Sequence, residues 1–222
     1  MSAAEAHPLF CLEGIDLTGA PAAGGPAGVD TGIVTDSTVL RIMPFRVKTT
    51  ATAAALAPFG FTALPAPGRF AEAGDHCLAW AASNCWHLIS SQPVTGLEQE
   101  LKRALSGLAA VSSAGGGLLR LQISGKDAGA LMVKGCVLDL DRFEPGHCAV
   151  TLMAHTRINL LRRGGTEFDL LIPVSHAASF WEWLTMSAAE FGMTVSAGPV
   201  QGPGRSATEP QLNKTPAMAA SA

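Results

Sequence analysis

Short runs with the period of a strand, separated by stretches with the period of a helix, constrain this chain most. LLRLQIS (Leu118–Ser124) alternates, with Leu119, Leu121 and Ile123 on one face and Arg120 and Gln122 on the other. CWHLISS (85–91), CAVTLMA (148–154) and RINLLRR (157–163) also read as strands. RRGGTEFDLLIPV reads as a hairpin turned at Gly164 and Gly165 into a strand of Phe168, Leu170, Ile172 and Val174. Gly115, Gly116 and Gly117 mark a further turn. Between the strands, TGLEQELKRALSGL gathers Leu97, Leu101, Ala104, Leu105 and Leu108 into a helical stripe, and Thr95 and Glu98 are spaced as a capping box. SGKDAGALMVKG predicts a short helix capped by Ser124, with Asp127 in its first turn and Gly135 as its stop. HAASFWEWLTMSAAEFG predicts a last helix capped by Ser175 and ended by Gly192. The sum is an α+β chain, mainly antiparallel sheet with helices packed on one face.

A chain of 222 residues suits one domain or two small ones. LTGAPAAGGPAGVDTG (17–32) and the stretch 196–222 are rich in Gly, Pro, Ala and Ser, with little apolar mass to order them. The expected organisation is therefore a mobile tail over 1–38, a folded domain over 39–195 and a disordered tail over 196–222. The net charge is -3, and its negative excess lies in those tails while the middle is nearly balanced, which argues against a nucleic-acid partner. Charged residues make up only 15% of the chain, so part of its surface is expected to lie against other proteins. Five cysteines without a C-x-x-C pair suggest neither a disulfide framework nor a zinc finger, and imply a reducing compartment. The first residues carry acid where a secretory leader carries base, and no apolar stretch approaches a membrane span. The expectation is a cytoplasmic protein without membrane contact.

VKGCVLDLDRFEPGHCAVTLMAH (133–155) concentrates Cys136, His147, Cys148 and His155, and His76, Cys77, Cys85 and His87 form a second set. A metal would need these ligands to converge. On one continuous strand, His147 and His155 would share a face that Cys148 does not, so the expected role is structural, with no metal ligand in this chain. No G-x-S-x-G elbow and no G-x-G-x-x-G fingerprint is present, so neither a catalytic residue nor a cofactor-binding residue is assigned. In the last helix, Ala177, Phe180, Leu184, Ala188 and Phe191 form the buried stripe, with Trp181 at its margin. Trp183 falls off the stripe, and is the candidate anchor of a subunit interface.

The order of SG-DA with KGC-LDL, then F-PG-CA-T, a strand, S-A--FW-WL and A-EFG (121–192) resembles the gamma subunit of heterotetrameric sarcosine oxidase. FGFTALPAPGRF and the strand of Trp86 resemble it further upstream. The resemblance implies a domain like that of the folate-binding aminomethyltransferases, acting as an accessory subunit of a flavin-dependent amine oxidoreductase. Its implied partners are alpha, beta and delta subunits, which would hold FAD, FMN, NAD and zinc. HTRINLLRR has no acid where the aminomethyltransferases place theirs, so that activity is not carried over. Two other readings stay open: the small subunit of N-methylglutamate dehydrogenase, and a free-standing folate-binding aminomethyltransferase-like protein.

Overall fold

The computed structural model describes residues 12–17, 19, 26–35, 37–46, 48–91 and 94–197. Its strands are β1 (Val29–Val34), β2 (Thr38–Pro44), β3 (Phe70–Ala73), β4 (His76–Ala82), β5 (Cys85–Ser90), β6 (Ala109–Ser113), β7 (Leu118–Ser124), β8 (Cys148–Met153), β9 (Thr156–Arg162), β10 (Phe168–Pro173) and β11 (Met193–Ala197). Its α-helices are α1 (Thr49–Ala55), α2 (Leu97–Ala104), α3 (Ala128–Val133) and α4 (Ala177–Ala188).

The strands form two sheets, ordered β11-β1-β7-β10-β9-β8 and β3-β4-β5-β2-β6. Every pairing is antiparallel except β1 with β11. Alternation along each strand decides the layers. Leu119, Leu121, Ile123, Leu160 and Leu170 pack on Leu131 and Met132 of α3 and on Phe180, Trp181 and Leu184 of α4. Leu40, Ile42, Leu78 and Leu88 of the second sheet pack instead on Leu97 and Leu101 of α2 and on Leu56, which follows α1. The opposite faces of both sheets meet through Val39, Cys77, Ala79 and Ile89 on one side and Cys148, Leu161 and Leu171 on the other. Helices thus cover both outer faces of a two-sheet sandwich, where the sequence predicts one helical face. The polar alternation of Arg120, Gln122 and Asp169 suggests a solvated face, and the second sheet covers it.

Several boundaries also differ. Residues 29–34 lie within the expected N-terminal tail, yet β1 is an interior strand between β11 and β7. Val29, Thr31 and Ile33 alternate into the core, and the Gly- and Pro-rich flank hides that short pattern. Leu12, Ile15 and Leu17 pack on the same core, and β11 extends two residues past the expected domain end. The expectation for residues 1–11, 20–25 and 198–222 falls outside the described residues. No capping box forms at α2: Gly96, at φ 86, takes the N-cap position, and Glu98 pairs with Lys102 at 2.6 Å. Ser124 remains in its strand opposite Asp30, and the left-handed Gly125 makes the turn to α3. Ser175 lies in a 3-10 turn ahead of α4, its hydroxyl 3.0 Å from His176 Nδ1, and caps nothing.

Candidate functional site

The histidines and cysteines are distributed over different layers. Cys148 faces the layer between the sheets, whereas Cys136 packs toward the core beneath α3 and α4. The Cys148 thiol donates to the Arg69 and Trp80 carbonyls at 3.1 and 3.4 Å, and burial pushes its pKa up to about 11. A thiol held protonated in this way is neither nucleophile nor metal ligand. His147 precedes β8 and accepts the Glu144 N–H at Nδ1, 2.8 Å away. His155 does not continue that strand. With Ala154 it forms the two-residue turn of the β8–β9 hairpin, both at positive φ (48 and 61), because Met153 already pairs with Thr156. In the other set, burial and then the nearby Arg41 push His87 down to about 4, and its Nδ1 lies 3.2 Å from Asn159 Nδ2 across the sheets. Burial likewise pushes Cys77 up to about 12 despite the neighbouring Arg163. Among the described residues, no three His, Cys, Asp or Glu side chains converge as a metal site. Gly115–Gly117 form a 3-10 turn that leads into β7 rather than into a helix, a geometry that does not fit a dinucleotide's phosphates.

The strongest electrostatic feature lies between the sheets and is not recognised from the sequence. Asp169, fully buried, accepts hydrogen bonds from Arg120 Nε (3.0 Å) and Nη2 (2.7 Å), and from Arg163 Nε (2.9 Å) and Nη2 (2.7 Å). Arg163 continues the chain of charges to Glu72 on β3. Burial alone would raise the Asp169 carboxyl, but the two guanidinium groups outweigh it and hold the acid below the usual carboxylate range. The only signal in sequence is a charge in the middle of each of two apolar strands. Register makes it meaningful, since Arg120 lies opposite Leu171 and Asp169 opposite Gln122 on adjacent strands. Both Asp169 oxygens are engaged by internal partners, Arg120 Nη1 is left buried without one among the described residues, and the network ties the strands of the two sheets together.

The surface offers two other regions. An open cleft of about 560 Å³ lies where the end of β4 approaches the outer edge of β8, lined by Trp80, Val150, Leu152, Val137 and Arg157 among others. Val137 and Leu152 remain 74% and 52% exposed. The second region is on the helices. Trp183 is half-buried, its ring 5.4 Å from that of Phe180 and seated so closely on Gly135 that a Cβ there would lie 2.3 Å from the indole. Met186, one helical turn further along α4, and Val133, two residues before Gly135, are 72% and 64% exposed. Trp181, by contrast, is in the core, and its indole N–H donates to the Asp16 carbonyl at 3.2 Å. Trp86 likewise donates to the Pro65 carbonyl at 2.9 Å. Trp80 and Trp183 have no such acceptor among the described residues, and these are the two tryptophans of the surface regions.

The same architecture occurs in solved structures. One chain of heterotetrameric sarcosine oxidase from Corynebacterium sp. U-96, in complex with pyrrole 2-carboxylate, superposes with a TM-score of 0.71 at 24% identity, over 88% of this chain and 98% of that one. Glycine cleavage system aminomethyltransferase T from Bartonella henselae superposes with a TM-score of 0.56 at 14% identity, over 78% of this chain and 48% of its own. At these identities the likeness establishes the fold, an aminomethyltransferase-like α+β domain. No curated protein matches the sequence. The family comparison goes further: residues 47–190 match the sarcosine oxidase, gamma subunit family, and the chain belongs to that family.

Proposed function

We propose that this chain is the non-catalytic gamma-type subunit of a flavin-dependent, heterotetrameric complex that oxidatively demethylates an N-methyl amino acid. The observation that carries this reading is the family match over residues 47–190. The chemistry of the described residues agrees with it: buried thiols held protonated, a buried neutral histidine, and a charge network with internal partners. FAD, FMN, NAD and zinc would reside in the other subunits, named alpha, beta and delta for this class, and the complex would work in the cytoplasm. No helix among the described residues is long and apolar enough to cross a membrane. Trp183 is proposed as an anchor of the subunit contact, with the exposed Met186 one turn along the same helix and the exposed Val133 two residues before Gly135, on which the indole sits. The test is purification of the native protein without a tag on the large chains. The expected result is that flavin- and NAD-binding chains accompany it in fixed ratio, while the isolated chain is colourless and inactive toward sarcosine. Stoichiometric flavin on the lone chain, or no accompanying chain, would overturn the proposal.

A further inference from the structure

The outer edge of β8 is closed at both ends and open in the middle. Cys148 N–H donates to the Gly68 carbonyl at 2.9 Å, and the Leu152 carbonyl accepts from Val137 N–H at 3.4 Å. In an antiparallel pair, alternate residues direct both main-chain groups away from the neighbouring strand. Val150, midway between those two residues, therefore points its N–H and C=O away from β9 and has no main-chain partner there among the described residues. Its groups open into the cleft that Trp80, Val137 and Leu152 line with apolar surface. Arg157, directly opposite Leu152 on β9, is exposed and forms no ion pair or side-chain hydrogen bond among the described residues. Besides the Trp80 indole N–H, the cleft offers three features without a partner among the described residues: an open main-chain pair, apolar surface and a cation.

We propose that this cleft receives an extended segment of a large partner subunit, one that carries a carboxylate close to an apolar side chain. The main chain of that segment bridges Val150, its apolar side chain enters between Trp80 and Leu152, and its carboxylate pairs with Arg157. Strand addition at an open edge takes its affinity from main-chain bonds and its specificity from side-chain pockets, and the cation selects an acidic partner. The proposal rests on the reading of the chain as an accessory subunit, and adds the surface and the chemistry of the contact.

The test uses the intact complex, assembled by co-expression of this chain with its large partners. Leu152→p-benzoylphenylalanine should crosslink on irradiation to a large subunit, in a peptide with Asp or Glu within a few residues of an apolar side chain. Arg157→Glu should weaken assembly at least tenfold, with the melting temperature of the free chain unchanged. Val150→Pro, which removes an outward N–H that an edge strand does not need, should do the same. The Val150 amide should exchange with solvent more slowly in the complex than in the free chain. If the wild-type chain binds the large subunits but position 152 crosslinks only to another copy of this chain or not at all, or Val150 exchanges equally in both states, the cleft assignment alone is overturned. If the wild-type chain binds no large subunit, the accessory reading falls with it.

Discussion

Strand β9 brings two opposite situations together. Just past its last residue, Arg163 is mostly buried and shares Asp169 with Arg120, every contact lying within the chain. At its other end, Arg157 is exposed beside exposed apolar side chains and has no ion pair among the described residues. The difference follows from solvation. A guanidinium taken out of water costs several kcal/mol unless an acid meets it, so folding itself demands the first arrangement. An exposed guanidinium costs little, so folding is indifferent to the second. The tryptophans divide in the same way, Trp181 and Trp86 having internal acceptors and Trp80 and Trp183 none among the described residues. Internally matched groups serve the fold, and the unmatched groups gathered beside apolar surface are the ones proposed above to serve association.

Breaking the matched side should have the largest effect. Asp169→Asn leaves two guanidinium groups facing a neutral amide, and should cost about 3–5 kcal/mol in denaturant unfolding of the purified chain. Trp181→Ala, which opens a cavity in the core, should cost a similar amount. A loss below about 1 kcal/mol for Asp169→Asn would mean that Arg120 finds water or another acceptor, and the contrast along β9 would disappear.

A smaller effect is expected from pH. His87 has its pKa lowered from 6.5 to about 4, by burial first and by Arg41 second. Between those values the unfolded chain binds the proton and the folded chain does not. Stability is therefore full above pH 6.5 and falls as the pH drops toward 4, by on the order of 3 kcal/mol. Asp169, also lowered, adds its own loss as the medium falls through the usual carboxylate range. Stability measured against pH should lose the upper part of this slope in His87→Gln and keep the acid part.

On the unmatched side, Trp183→Ala should weaken assembly of the complex by about 2 kcal/mol, read by sedimentation of the mixed subunits. The contact with Gly135 means that the free chain also loses some stability, and a loss confined to the free chain would remove Trp183 from the interface. The smallest effect is a gain. His155 is exposed at φ 61, a backbone conformation suited to glycine, so His155→Gly should raise the melting temperature by the equivalent of about 1 kcal/mol.

What could be read in advance depended on whether a pattern was local. The alternation of β7 and β10, the Gly-Gly hairpin before β10, and the stripe of Phe180, Leu184 and Ala188 are each contained in one short window, and all appear in the structure. The helix caps were less legible because a hydroxyl at the right spacing competes with other local bonds. Ser124 stays in its strand, and a left-handed glycine begins α2 in place of a capping threonine. For the candidate site, Trp183 was visible from helical spacing alone, whereas Trp80, Val150 and Arg157 belong to segments that meet only when β4 approaches β8.

The sequence by itself determined the class of the fold, the family and the core face of α4, because periodicity and motif order are properties of neighbouring residues. Tertiary structure alone decided the second sheet, the interior place of β1 and the meaning of the charged residues. Arg120, Arg157 and Arg163 are the same residue type on similar strands, and nothing local separates them. What separates them is which face a second sheet covers, since removal of water makes a paired carboxylate necessary for two of them and leaves the third exposed to solvent.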